Sequence, residues 1–251
     1  MPFTFSHPAV VLPANYFLKK RISLTGLIAG SMVPDFEYFV RDYHKSFYSH
    51  TWLGLFYIDL PAGLLLCFLY HNLIRRPFYA NAPLFLKRKL AAFQALHWNS
   101  WFAAKWRTVL LCILAGAITH LVWDKLTHHT VPLVQSASGF RKFASFKDKM
   151  MTYFLFWDMN SLIGLFLVLY SFWLLPTDKK VQANTDTRPY WLSLCGTALL
   201  VFLVQLPGIK LILDNIVIAA INAALISIAL TSLVFNIRFR YGKNLVWATK
   251  K

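Results

Sequence analysis

Apolar residues in this chain come in long uncharged blocks separated by short basic stretches. A helix needs about 20 such residues to cross the hydrocarbon core of a bilayer. Tyr190–Ile209 and Asn215–Ile237 have that length without a charge, and Thr51–Leu73 has it with Asp59 as its one acid. Thr108–Trp123 is uncharged but shorter and runs into Asp124, while Tyr153–Leu175 is interrupted by Asp158. The pattern predicts an all-α, polytopic membrane helix bundle with five transmembrane helices, three of them within 153–237. Ile22–Val33 is too short to span; with Gly26, Gly30 and then Pro34 it reads as a re-entrant or interfacial helix. Residues 1–251 read as a single integral membrane domain.

Composition supports that reading. The chain is 57% hydrophobic, 17% aromatic and 14% charged, whereas soluble chains run near 25% charged. The composition argues against an ordinary soluble domain and excludes a disordered chain. The formal net charge is +16, from 26 Lys and Arg against 10 Asp and Glu. In an apolar chain such cations anchor loops to the cytoplasmic face. Five helices place fifteen cations on the side of Arg75–Arg107, Pro176–Pro189 and the C-terminal tail, against nine on the other. The C-terminus is therefore expected in the cytoplasm.

Leu84–Arg107 interleaves Lys87, Arg88, Lys89, Lys105 and Arg107 with Phe85, Phe93, Trp98, Trp101, Phe102 and Trp106. Such interleaving also marks single-strand nucleic-acid sites. Between two membrane spans it points to a basic amphipathic interfacial helix, so the lipid bilayer is the expected partner and nucleic acid is not. The first residues lack a cationic region, and Pro2, Pro8 and Pro13 interrupt any apolar one, so no signal peptide is expected. Cys67, Cys112 and Cys195 all fall in spans, which argues against disulfides and a cysteine metal site.

The candidate chemistry lies in His7, Asp35, His50 and the run His120-Leu121-Val122-Trp123-Asp124-Lys125-Leu126-Thr127-His128. His120, Asp124 and His128 recur every four residues, one helical stripe drifting about 40° per step. An imidazole and a carboxylate one turn apart can hold one metal ion. His50 precedes the first span and Asp124 closes the second, so antiparallel helices bring them to one membrane face. Asp35 and His7 join them if Ile22–Val33 does not cross. Taken singly, each residue has a structural reading: His120 as a core histidine, His128 and His129 as a solvated pair, Asp35 as an N-cap or a partner of Arg21 or Arg41. Their convergence favours a metal site. His44, His71 and His97 lack carboxylates at helical spacing and are expected at the interface or in water. Asp59 and Asp158, inside spans, are expected to make interhelical hydrogen bonds, with transport as the functional alternative.

Several of these segments together resemble a known group. They are Pro2-Phe3-Thr4-Phe5-Ser6-His7-Pro8, Gly30-Ser31-Met32-Val33-Pro34-Asp35-Phe36-Glu37-Tyr38, Ser49-His50, Asp59-Leu60-Pro61 and His120 to His128. They resemble bacterial integral membrane proteins of unknown function, related to inner-membrane metal-dependent hydrolases and distantly similar to zinc-dependent phospholipase C and single-strand-specific zinc nucleases. The resemblance is dense over residues 1–130 and beyond that rests on hydrophobic pattern. In the phospholipase C pattern one zinc is held by an Asp, a His and a His-x-x-x-Asp pair, an order matched by Asp35, His50, His120 and Asp124. A second zinc there uses an N-terminal His and shares the last Asp, which would be His7 and Asp124. A third uses a His, matched by His128, and a His-x-x-x-Glu pair that this chain lacks, so one or two ions are implied.

Imidazole with carboxylate suits zinc, with manganese or iron as alternatives. A metal-bound water would attack an ester or phosphoester, with Asp35 orienting or deprotonating it. The location suggests a lipid or lipid-linked substrate. The competing reading is a non-catalytic membrane protein, such as a metal-binding transporter, sensor or assembly factor.

Overall fold

The computed structural model describes residues 3–18, 21–41, 48–127, 146–182, 186–209 and 211–248, without the side chains of 40–41, 146–157 and 237–248. Every regular element among these residues is helical. In chain order they are α1 (Pro8–Leu18), α2 (Leu24–Met32), α3 (Phe36–Arg41), α4 (Leu55–Asn81), α5 (Leu84–Leu90), α6 (Trp98–Thr127), α7 (Phe146–Trp173), α8 (Arg188–Gln205) and α9 (Leu213–Ala248). Short 3-10 turns sit at Thr4–Ser6, Val33–Asp35, Ala91–Phe93 and Leu206–Gly208.

Among the described residues four helices are long and apolar enough to cross a membrane: Leu55–Asn81, Trp98–Thr127, Arg188–Gly208 and Leu213–Asn236. The fifth expected span falls in α7, whose described apolar stretch, Asp158–Trp173, is shorter. Large apolar side chains face outward along these helices; Leu192 and Val204 are each 73% exposed. Lipid is the solvent that such surfaces suit. The expected helix over Leu84–Arg107 is instead two pieces, with α5 ending in the 3-10 turn Ala91–Phe93 and α6 starting at Trp98.

The chain divides into two compact units. The first comprises residues 1–36, 47–64 and 102–174. Its centre is the contact of α2 with α6. Ser23 caps α2, accepting a hydrogen bond from Gly26 N, and only nine residues follow before Pro34 enters the next turn. Gly30 and Gly116 remove the side chains that would hold the two helices apart. A Cβ at Gly30 would stand 2.1 Å from Ile113 O, and one at Gly116 would stand 2.3 Å from Leu27 O. Backbones meet directly here, as small residues allow in membrane helix packing. Val11, Leu27 and Cys112 form one apolar cluster in this unit, and Leu55, Ala117 and Leu121 another. The 3-10 turn Thr4–Ser6 is fixed to α7, since Phe3 N donates to Ser161 Oγ at 2.9 Å and Ser6 lies against Gly164.

In the first unit α4 opens as a π-helix, Leu55–Asp59, just before Pro61. Proline cannot donate to the carbonyl four residues back and crowds it, so a widened turn relieves the clash. Asp59 is fully buried at the end of this turn.

The second unit comprises residues 37–46, 65–101 and 175–251. Pro77 leaves the carbonyl of Leu73 without its helical donor, and Asn236 Nδ2 supplies one at 2.6 Å. Trp191 Nε1 likewise donates to Asn81 O at 2.8 Å, at the end of α4. Tyr190 is fully buried, edge-on to Phe235 with ring centroids 5.1 Å apart. These contacts tie α8 and α9 to α4 through orphan carbonyls as well as apolar packing. Cys67 and Cys112 are buried, Cys195 is exposed, and all three are free thiols.

Gly30→Ala should force α2 away from Ile113. Overpacking of this kind costs about 1–3 kcal/mol, so thermal unfolding in detergent should shift down by several degrees. An unchanged Tm would mean the backbone contact is not a constraint.

Candidate metal centre

Four segments of the first unit meet around a nearly dry pocket. His7 follows the Thr4–Ser6 turn and is 2% exposed, Asp35 closes the Val33–Asp35 turn at 0%, and His120 and Asp124 lie one turn apart on α6 at 0% and 3%. His50, in the turn before α4, forms the open edge, with its side chain 21% exposed.

The donors form a ring. His50 Nε2 lies 3.5 Å from Asp35 Oδ1 and 3.4 Å from Asp124 Oδ2. His120 Nε2 lies 3.2 Å from Asp35 Oδ1 and 3.5 Å from Asp124 Oδ2. One ligand atom from each of the four residues lies within 4.8 Å of the others. Ligands about 2.0–2.1 Å from a tetrahedral zinc stand about 3.3 Å apart, which matches the four shortest separations.

Hydrogen bonding at the far side of each imidazole fixes what faces the pocket. His120 Nδ1 lies 2.7 Å from Ser31 O. A carbonyl only accepts, so Nδ1–H is the donor and Nε2 of the neutral ring carries a lone pair. Ser49 Oγ donates its one proton to Pro34 O at 2.7 Å and lies 3.2 Å from His50 Nδ1. His50 Nδ1–H must therefore donate to Ser49, which again turns the Nε2 lone pair inward. Metal-bound histidines are held in this way, by a carbonyl or other acceptor on the far nitrogen.

Acceptors thus face acceptors. The carboxylate oxygens of Asp35 and Asp124, His120 Nε2 and both His7 nitrogens are buried with no hydrogen-bond partner among the described residues. Leaving so many polar atoms unsatisfied is costly, and a cation among them satisfies them together. Two carboxylates with neutral imidazoles carry a charge of −2, which a divalent ion cancels. The donor set fits such an ion.

The local electrostatics follow from burial and charge. Burial lowers His7 to about 4, with His120 acting in the same direction, so its ring is neutral at pH 7. Burial alone would raise Asp35, but the positive charge that His120 and then His50 bring when protonated outweighs it and holds the carboxyl below its usual range, so in the absence of a metal protons take the place of the cation. Burial would lower His50, but Asp124 and Asp35 outweigh it and raise the ring, so the pocket attracts positive charge.

His7 stands outside the four-donor group. It stacks on His120 at 3.8 Å between centroids, and its Nε2 lies 3.6 Å from Asp124 Oδ1, the oxygen turned away from His50 and His120. Asp124 therefore faces the four-donor group with one oxygen and His7 with the other. His128, on the same predicted stripe, lies outside the described residues, as does His44.

Other expected positions fall elsewhere. His71, expected at the interface or in water, is 5% exposed and lies flat on Trp98 at 4.2 Å. A ring partner 27 positions along the chain removes it from solvent, and no local spacing signals that contact. His97 is exposed. Asp158, expected in an interhelical hydrogen bond, is exposed on α7. Ser31 and Ser49 were not expected to matter. Ser31 acts through its backbone oxygen, which has no side-chain signature. Ser49 was visible only as a polar neighbour of His50.

Ser49→Ala should lower metal affinity about 10–100-fold, the usual cost of losing such a supporting contact. Ser49→Thr, which keeps the hydroxyl, should retain most of it. Competition against a chelator measures both, and equal affinity in Ser49→Ala would remove the role assigned to this hydroxyl.

No curated protein and no solved structure matches the chain. Residues 1–233 match a family described as a domain of unknown function, DUF4184. The match covers nearly the whole sequence, including every residue of the pocket, and the chain belongs to that family.

Proposed function

We propose that this protein is a membrane-embedded, metal-dependent hydrolase acting on a phosphoester, with a lipid or lipid-linked molecule as substrate. The observation that carries the reading is the ring of four acceptors, Asp35, His50, His120 and Asp124, opening to solvent at His50. Zinc suits this mixture of imidazole and carboxylate. When bound, a divalent ion supplies Lewis acidity and a water of lowered pKa.

The residues divide the remaining work. His50, His120, Asp35 and Asp124 would hold the ion, and Ser31 and Ser49 orient the two imidazoles. Asp35 turns Oδ1 to both rings, which leaves Oδ2 to orient a water and accept its proton. Neutral His7 can accept a proton or join a second ion through Asp124 Oδ1. His7, Asp35, His120 and Asp124 are buried, and His50 is the most exposed of the five side chains. The phospholipase C resemblance supports the chemistry. Four helices apolar enough to cross a membrane support the lipid substrate. Loop charge supports a cytoplasmic C-terminus, and the family resemblance supports a bacterial inner membrane.

The site also accommodates a second reading, a metal held for transport or sensing, favoured by the fully buried Asp59 in its π-helical turn. Elemental analysis and a substrate screen separate the two. Purified protein should carry about one or two zinc equivalents. His120→Ala and Asp124→Ala should lose the metal while keeping their helical circular dichroism. The wild type should release p-nitrophenol from bis(p-nitrophenyl) phosphate or cleave a phospholipid, and Asp35→Asn should lower kcat by about 10²-fold or more. Metal unchanged in Asp124→Ala would remove the metal site. Bound metal with no hydrolysis across the screen would favour the non-catalytic reading.

A further inference from the structure

Residues 60–123 contain seven cations and no acid. In the second unit some of these cations find backbone oxygens. Lys89 Nζ donates to Leu175 O at 2.7 Å and Arg88 Nε to Val181 O at 3.3 Å. Arg75 differs. It is 6% exposed, and its Nε has no hydrogen-bond partner among the described residues. Its one hydrogen bond there, to Phe93 O, is long at 3.4 Å. The ionisable groups acting on it are Tyr70, His71 and Arg76, none of which carries negative charge at neutral pH. Its neighbour Arg76 is exposed.

A guanidinium cannot shed its proton to escape burial. Largely withdrawn from water, with its Nε unpaired among the described residues and no anionic side chain acting on it, it carries a charge that those residues do not compensate. Its planar fork matches the paired oxygens of a phosphate or carboxylate. Arg75 also lies within the last two turns of the apolar helix α4, and near the end of a span a long cationic side chain can reach toward headgroup phosphates.

From this we infer that Arg75 is the centre of an oxoanion site in the second unit, taking a phosphate group from a lipid headgroup or from solution. The site shares no residue with the metal centre and does not depend on the hydrolase reading.

Full-length protein in dodecyl maltoside provides the test. Its Tm is followed with added phosphatidylglycerol, with diacylglycerol of the same chains, and with inorganic phosphate. Phosphatidylglycerol should raise Tm by several degrees near saturation while diacylglycerol does not. The same rise with inorganic phosphate alone would identify a free oxoanion as the occupant. Arg75→Gln should weaken the effective ligand roughly tenfold or more, the usual loss for a charge-assisted contact, and Arg76→Gln should leave it intact. Arg75→Lys keeps the charge but loses the fork, and should weaken binding if the glutamine variant does not fold. The inference is overturned if neither phosphate source stabilises the wild type. It is also overturned if Arg76→Gln loses the effect as fully as Arg75→Gln. An effect that persists in Arg75→Gln and disappears in Asp124→Ala would place the anion at the metal centre instead, with the same consequence.

Discussion

Two buried carboxylates and two inward-turned imidazole lone pairs cannot share a dry pocket without something positive between them. That electrostatic constraint organises the first unit. Asp35 is fully buried and Asp124 nearly so, and their oxygens approach His50 and His120 at 3.2–3.5 Å without completing hydrogen bonds. A divalent ion turns mutual repulsion into mutual attraction, so the same atoms that destabilise the empty arrangement become its strongest bonds when filled. A metal bound there would couple its affinity to the folding of this unit.

The glycine contacts serve that constraint. Ser31 O can reach His120 only because α2 lies backbone to backbone on α6, and that approach depends on Gly30 and Gly116. The short α2 then hands the chain to the Val33–Asp35 turn, which delivers Asp35 beside His120, and Pro34 O receives Ser49 and so steadies His50. Each ligand is positioned by an element that also supports its neighbour.

The second unit solves a different problem, that of polar groups left over in an apolar setting. Pro77 orphans a carbonyl, and Asn236 satisfies it. Arg88 and Lys89 satisfy others. Arg75 is left as a buried cation with one long bond. With no acid between Asp59 and Asp124 in the sequence, its compensation must come from elsewhere in the chain or from outside it.

Much of this was legible beforehand. Hydrophobic block length alone gave an all-helical chain suited to a membrane, because a span has to satisfy every backbone group internally. The i, i+4 spacing of His120 and Asp124 put both on one face of a helix, and the order of Asp35 and His50 around the spans brought them to the same end. The breaks within apolar and basic runs were less legible: the division of Leu84–Arg107 into two helices and the π-turn before Pro61 depend on local hydrogen bonding that composition does not encode. The sequence by itself determined which side chains carry charge and how they repeat along a helix, since those follow from residue identity and helical period. Only the tertiary structure decided which nitrogen of each imidazole faces the pocket, that Asp124 presents its two oxygens to different neighbours, and that His71 is buried against Trp98. Those features depend on a carbonyl, a hydroxyl or a ring brought from a distant segment, and contacts between distant segments are set by packing rather than by spacing.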